Sequence, residues 1–305
     1  MFQNILDAKK SNIYWIASYP RSGNTFTRIL MSNYFLSKDI PYPINKLRAF
    51  IPSDTSAELW ETLLPGLWQD SDDQQKWQGR HPLIAACRGW GQQRPFPAIK
   101  THTANLSMFD QPAFKFLPGD RVIYIVRHPL DLLLSYADYN GRDIDKSIEI
   151  ITNSGLYLNT GQPGGIELRG SWREHVVSWI TCKDCPVLLV RYEDLCENTE
   201  VIFRDMLNFL GVRVEEEKLH KAVRFSHFAS LQQQEAANGF TERPATALSG
   251  RFFREGRSRQ WLTTLSPEQA CRLADNCGEI MTKLGYTHPR DVYLDGRNAY
   301  GPVRL

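Results

Sequence analysis

The stretch Ile13-Tyr14-Trp15-Ile16-Ala17-Ser18-Tyr19-Pro20-Arg21-Ser22-Gly23-Asn24-Thr25-Phe26-Thr27-Arg28-Ile29-Leu30 decides the fold. It opens on an apolar, β-branched and aromatic run over 13–18 and turns tightly over 19–24. From Thr25 to Leu36 the apolar residues Phe26, Ile29, Leu30 and Phe35 then fall at helical spacing. The pattern predicts strand, turn, helix. A turn that hands free backbone amides to a helix N-terminus attracts an anion, since the amides and the helix dipole both favour negative charge. Arg21 adds a fixed positive charge there, and Ser22, Asn24 and Thr25 add short donors. The nucleotide loop GxxxxGK[ST] needs two glycines and a lysine ahead of its hydroxyl residue. Here Gly23 stands alone between Ser22 and Asn24, and the cation comes first. Taken by itself, the stretch reads equally as a capped turn of any α/β protein.

Working outward, Ala98-Ile99-Lys100-Thr101-His102 predicts a short buried strand with polar residues at its end, and Arg121 to Arg127 a stronger one. Pro129 opens a helix that runs to about Tyr139, Ser171 to Thr181 is helical, and Pro186 to Tyr192 is a fourth strand. Helices follow at Thr199–Leu210 and Glu215–Phe225, and the capping box Ser266-Pro267-Glu268-Gln269 opens one to about Leu284. Strands that are near-continuous apolar runs, alternating with helices, predict an α/β fold: three layers, a mostly parallel central sheet, helices on both faces. Ligands of such sheets collect beyond the C-terminal strand ends, where Arg21, Lys100, His102, Arg127 and Tyr192 fall. Residues 38–97 are rich in proline and carry Trp60, Trp68, Trp77 and Trp90. They read as an insertion shaping an acceptor pocket, with short helices at Ser56–Leu64 and Asp73–Gln78. Residues 141–165 have no clear element and end in the loop Gly161 to Gly165. Residues 230–250, polar and small, read as a mobile loop.

The formal net charge is +2 in 305 residues, so no broad polyanion surface, and no nucleic-acid partner, is expected. No apolar run reaches the roughly 20 residues of a membrane span, and Met1-Phe2-Gln3-Asn4-Ile5 does not read as a secretory start. A cytoplasmic protein with free thiols is the expectation. Cys182 and Cys185 have CxxC spacing, but no second pair completes a zinc set. They read as a turn before the next strand, with a redox pair as the alternative.

Five segments, in order, resemble the sulfotransferase family that uses 3′-phosphoadenosine-5′-phosphosulfate (PAPS) and releases the 3′,5′-bisphosphate (PAP). Ser18 to Phe26 is similar to the family's 5′-phosphosulfate loop, Lys100-Thr101-His102 to the strand carrying the base, and Val122 to Tyr136 to the 3′-phosphate strand and helix. Leu188 to Leu195 is similar to the segment carrying an adenine-side tyrosine, and Phe252 to Trp261 to the clamp that closes on the nucleotide. The resemblance implies a single sulfotransferase domain over 1–305, with a P-loop-like nucleotide-binding core. It implies sulfuryl transfer from PAPS to a hydroxyl or amine of a small-molecule acceptor, a natural product or other metabolite of secondary metabolism. His102, Lys100 and Arg21 would be catalytic, with His102 as general base. Donor contacts would come from Arg21, Ser22, Gly23, Asn24, Thr25 and Phe26, from Arg127 and Ser135, and from Tyr192, Ser226 and Phe228. Phe252, Phe253, Arg254, Glu255 and Gly256 would complete them.

These residue types suit the chemistry. Charge builds on the leaving phosphate, and cations and amides aimed at it lower the barrier. An imidazole, with an unperturbed pKa of about 6.5, suits removal of the acceptor proton. Sulfuryl carries less charge than phosphoryl, so no metal is expected. The strand ends at Arg127, where a phosphoryl-transfer enzyme would place a metal-binding Asp. The sequence departs from the family pattern at Arg21, Glu255 and Arg259, and the subunit-pairing segment of the animal members is not recognisable, so the oligomeric state stays open. His128 and His175 read as structural; Arg142, Arg169 and Arg173 read as solvated charges. An ATP-dependent phosphotransferase and a silent nucleotide-binding protein on the same fold are the alternatives. The incomplete phosphate loop counts against the first, and Lys100 beside His102 against the second.

Overall fold

The computed structural model describes residues 12–303 other than 67–70, 93, 160–163, 255 and 296–297. The expectations for residues 1–11, Trp68, Gly161-Gln162-Pro163 and Glu255 lie outside the described residues. In chain order, β1 (Tyr14–Ser18) is followed by α1 (Asn24–Leu36). The stretch to Pro97 carries a 3-10 turn at Ile44–Lys46, then α2 (Leu47–Phe50), α3 (Ala57–Leu63), α4 (Asp73–Gln78) and α5 (Arg80–Gly91). β2 (Ala98–Thr101) precedes a small ribbon of β3 (Ser107–Met108) and β4 (Gln111–Pro112), and β5 (Arg121–Val126) feeds α6 (Pro129–Asn140). Next come α7 (Ile144–Ile151), a second ribbon of β6 (Tyr157–Asn159) and β7 (Ile166–Leu168), and α8 (Trp172–Ile180). β8 (Val187–Arg191) runs into α9 (Tyr192–Glu197) and α10 (Thr199–Phe209), followed by α11 (Glu216–Phe225) and α12 (Phe228–Asn238). The last elements are α13 (Trp261–Thr264), α14 (Pro267–Cys277), α15 (Glu279–Lys283) and α16 (Pro289–Asp295).

The central sheet has the order β2-β1-β5-β8, and every neighbouring pair is parallel. Its side chains alternate between two buried layers, as the two-residue period of a strand requires. Trp15, Ala17, Val122, Tyr124 and Val126 pack with Trp172, Val176 and Trp179 of α8. Ile16, Ile123 and Ile125 pack on the other face with Leu30 and Met31 of α1, Phe203 and Met206 of α10, and Leu219 of α11. This is the three-layer α/β arrangement expected. Because all four strands run the same way, their C-terminal ends form one edge. Ala17 pairs with Thr101, Ser18 with Ile125, and Val126 with Arg191. The residues that follow each strand, Tyr19, His102, Arg127 and Tyr192, are therefore brought together. No helix among the described residues is long and apolar enough to cross a membrane.

Three expectations are refined by the structure. Residues 38–97, for which an acceptor-pocket insertion and packing onto the core were both open, place none of their described residues in the lining of the central cavity described below. Trp60 and Trp77 are each 1% exposed and sit in the core, their indole N–H groups donating to the backbone oxygens of Asp54 and Gln111. The segment supports β2 from outside: Lys100 N–H donates to Pro52 O and Asp54 N–H to Lys100 O. Asp54 accepts from both Arg80 and Thr101 at 2.7 Å. Second, 230–250 is not a loop throughout. Its first part is helix α12, built from Leu, Gln, Glu and Ala, which are good helix formers with too few apolar residues to show a period. The rest is strapped to α6: Ser249 Oγ donates to Asp138 at 3.0 Å and Thr246 Oγ1 to Tyr139 O at 3.1 Å. Third, 141–165 holds α7, capped by Asp143, and β6.

Candidate active site

A cavity of about 430 Å³ opens on the C-terminal edge of the sheet. Its wall includes Arg21, Gly23, Asn24, Thr25, Phe26, Lys100 and His102. From later in the chain it takes Arg127, Ser135, Tyr192, Ser226, Phe228, Phe252, Phe253, Arg254 and Gly256. These are the residues singled out from sequence, apart from Ser22 and the undescribed Glu255. The Ser22 side chain is fully buried off the wall, with Oγ lacking a partner among the described residues, which leaves its backbone amide as the group it can offer to the cradle.

The turn after β1 builds one wall. Gly23 takes φ 105° at the N-cap of α1, and no side chain caps the helix. The amides of the first turn are therefore left without intrahelical partners. A Cβ on residue 23 would stand 2.5 Å from Cδ2 of Tyr192, so the close approach of that ring requires glycine. Asn24 turns inward, its Nδ2 donating to Ile16 O at 2.9 Å, which ties the cradle to β1.

Cations gather at one side. Arg21, itself at φ 70°, donates from Nε to Ser135 Oγ at 3.0 Å, with its guanidinium 4.5 Å from the Tyr139 ring and 4.3 Å from that of Phe252. Burial first, with Arg127 and Arg254 adding to it against Tyr139 and Asp138, lowers its pKa to about 10. Arg127 donates to Arg21 O at 3.1 Å and lies 4.7 Å over the Tyr192 ring, while its Nε is buried without a partner. Arg254 approaches Asp138 at 3.8 Å. Three arginines against one carboxylate, with a donor left open, fit a dianion.

His102 is fixed by a chain of hydrogen bonds that assigns its tautomer. Its Nδ1 lies 2.7 Å from the carbonyl of Ser18, so Nδ1 carries the proton and donates. Behind it, Tyr124 OH meets His175 Nδ1 at 2.9 Å, and His175 Nε2 donates to His102 O at 3.1 Å. Nε2 of His102 therefore keeps a free lone pair, without a protein partner among the described residues. Burial, then the Lys100 charge, holds the His102 pKa well below its usual value, so the ring is neutral at neutral pH. Lys100, one residue from the end of β2, has no hydrogen bond or ion pair to its Nζ among the described residues. Its pKa is lowered by burial, opposed by Glu242.

Among the wall residues that were not anticipated, four form a polar group: Tyr139, Glu167, Arg169 and Glu242. Arg169, expected to be solvated, is instead largely buried and ion-paired with Glu167, and its Nη1 donates to Tyr136 OH at 3.3 Å. Burial alone would raise the Glu167 pKa, but Arg169 and Lys100 outweigh it and lower it. Glu242 receives two hydrogen bonds from Arg28, at 2.8 and 3.0 Å, and one from Thr25 Oγ1 at 3.4 Å. Arg28 and its neighbours more than offset burial and bring its pKa down to about 2. Tyr139 OH donates to Glu242 O at 3.1 Å. The alternation Ile166-Glu167-Leu168-Arg169 carried a usable strand signal. Glu242 carried none, since its partner is 214 positions away.

A model described as "Sulfotransferase domain" matches residues 12–285. The chain belongs to the sulfotransferase family. It is accordingly an enzyme of the PAPS-dependent sulfotransferase class. Sulfotransferase 2A2 of Rattus norvegicus is 25% identical over 194 residues, 63% of this chain and 67% of that protein. The 3-alpha-hydroxysteroid sulfotransferase of Cavia porcellus is 27% identical over 199 residues, 63% and 66%. The matched segments thus span about two thirds of these relatives. Among solved structures, a mouse sulfotransferase complexed with PAP superposes with a TM-score of 0.53 at 20% identity, covering 92% of this chain and 89% of that one. Retinol dehydratase in complex with androsterone and PAP gives 0.54 at 17%, covering 94% and 86%. Both likenesses establish the fold of this sulfotransferase.

Proposed function

We propose that this sulfotransferase moves the sulfuryl group of PAPS in line to a hydroxyl or amine of a small-molecule acceptor, a natural product or other metabolite, with His102 as general base. One observation carries the reading: the Nδ1–H of His102 is committed to Ser18 O, so the basic lone pair is on Nε2, on the wall of the cavity that also holds Lys100 and the open amides of α1.

PAPS supplies an activated sulfuryl group whose leaving group is PAP. The amides of 22–26, at the N-terminal end of α1, cradle its 5′ end. Lys100 lies two residues before His102 with a free ammonium, suited to the bridging oxygen as the S–O bond breaks. Arg127, Ser135 and Arg254 bind the 3′-phosphate, while Arg21, held by Ser135 between two rings, adds charge between the two phosphate ends. Phe26, Tyr192 and Phe228 offer aromatic surface to the adenine. His102 Nε2 takes the acceptor proton as the acceptor atom bonds to sulfur, and the imidazolium that forms is stabilised by its bond to Ser18 O. General-base help of this kind is worth roughly 10²–10⁴ in rate. Glu167 and Arg169 line the same cavity as His102.

Calorimetry with PAP and ATP in EDTA, followed by turnover of PAPS on a panel of hydroxyl and amine acceptors, tests the reading. PAP binding, negligible ATP binding and sulfated product support it. Mg-dependent ATP binding without PAP binding would overturn it, and PAP binding with no turnover on a broad panel would leave a silent nucleotide-binding protein.

A further inference from the structure

Helix α12 faces the clamp with two polar side chains one turn apart. Glu235 is 9% exposed, and each of its carboxylate oxygens accepts one backbone amide of the clamp: Phe252 N–H at 2.6 Å on Oε1 and Phe253 N–H at 3.0 Å on Oε2. Gln232, three residues earlier and so on the same helix face, donates from Nε2 to Phe253 O at 3.1 Å and to Arg254 O at 2.9 Å. Two donors and two acceptors of three successive clamp residues are thus met from a single helix face. The helix is itself anchored: Leu231 is 1% exposed against Ile29, Ile44 and Phe240, and Gln234 accepts Ile44 N–H at 3.2 Å. At its start Phe228 lies so near Gly256 that a Cβ there would stand 2.8 Å from the ring.

We propose that Glu235 and Gln232 are positioning residues for donor binding: they fix the backbone of 252–254, so that Phe252 covers Arg21 and Arg254 stands at the 3′-phosphate site. The inference rests on the donor site proposed above. A carboxylate is suited because one planar group takes two convergent amides, and without it the buried Phe253 N–H has no partner. Neither residue needs to touch the donor, and neither lies in the motif segments that mark the family resemblance.

The test uses the full chain, with PAP and adenosine 5′-phosphate binding measured by calorimetry for wild type, Glu235→Ala, Glu235→Gln and Gln232→Ala, and thermal unfolding recorded on the same samples. Loss of the clamp geometry weakens PAP by about tenfold in Glu235→Ala, the equivalent of one to two hydrogen bonds. Adenosine 5′-phosphate, which lacks the 3′-phosphate, weakens by less than about threefold on the same scale. Glu235→Gln keeps one acceptor oxygen and falls between wild type and Glu235→Ala. Gln232→Ala shifts the same ratio in the same direction, and it decides the matter if Glu235→Ala does not fold. Absence of PAP binding by the wild type would remove the donor site itself. Wild-type PAP binding with unchanged affinity in the variants, or with equal losses for both nucleotides, would overturn the positioning role alone.

Discussion

Arg21 Nε donates to the hydroxyl of Ser135 at 3.0 Å, joining the turn after β1 to the helix after β5 across 114 positions of sequence. The bond sets the loop cation beside Arg127, which donates to Arg21 O and whose Nε is buried without a partner, where the 3′-phosphate is proposed to bind. Arg127→Ala is expected to weaken PAP roughly ten- to hundredfold, the scale of a charge-assisted hydrogen bond or two. Adenosine 5′-phosphosulfate, lacking the 3′-phosphate, is expected to lose less than about threefold by the same arithmetic. Competition calorimetry with both ligands checks this, and equal losses would place Arg127 elsewhere on the donor.

The pair Arg28–Glu242 links α1 to the strap that follows α12. Arg28 is 1% exposed and Glu242 receives both ends of its guanidinium. Removing one member of a buried pair leaves the other uncompensated, at a cost of about 3 kcal/mol or more. Glu242→Ala is therefore expected to lower unfolding stability by that amount in urea. A change below about 0.5 kcal/mol, the scale of an exposed pair, would show that the two groups are solvated.

Acid sensitivity follows from two other histidines. Burial lowers His175 to about 3 and His128 to about 4, whereas the unfolded imidazoles titrate near 6.5. Between those values the unfolded chain holds more protons, so stability falls as pH drops. Below the ordinary carboxylate range Glu242, at about 2 when folded, adds a second loss. Thermal melts should show Tm constant from pH 8 to 7 and falling steadily below 6.5. A Tm that held or rose down to pH 4 would mean that the rings are protonated in the folded protein.

The parts legible in sequence were those with local signals. The strand-turn-helix of 13–36, the three later strands and the capping box at Ser266 each carried their own period or punctuation. Helix α12 was missed because Leu231 is its lone well-buried apolar anchor and its other inward residue is Glu235. Helix α5 was hidden by Pro82, which sits in its first turn, where proline is tolerated. The cavity residues that follow the parallel strands were found because topology places them there. Glu242 and Arg169 were not, because their burial is set by partners distant in sequence or by a ribbon that only the fold reveals. For the tryptophans of 38–97 the sequence left pocket and core both open, and Trp60 and Trp77 lie in the core.

The most direct test concerns the imidazole that Ser18 O holds by its Nδ1. His102→Ala, assayed for PAPS-dependent turnover and for PAP affinity in the same preparation, should lose turnover by roughly 10²-fold or more while binding PAP within about threefold of wild type, a small change on the free-energy scale. Turnover that survives the substitution, or PAP affinity that collapses with it, would contradict a base at this position.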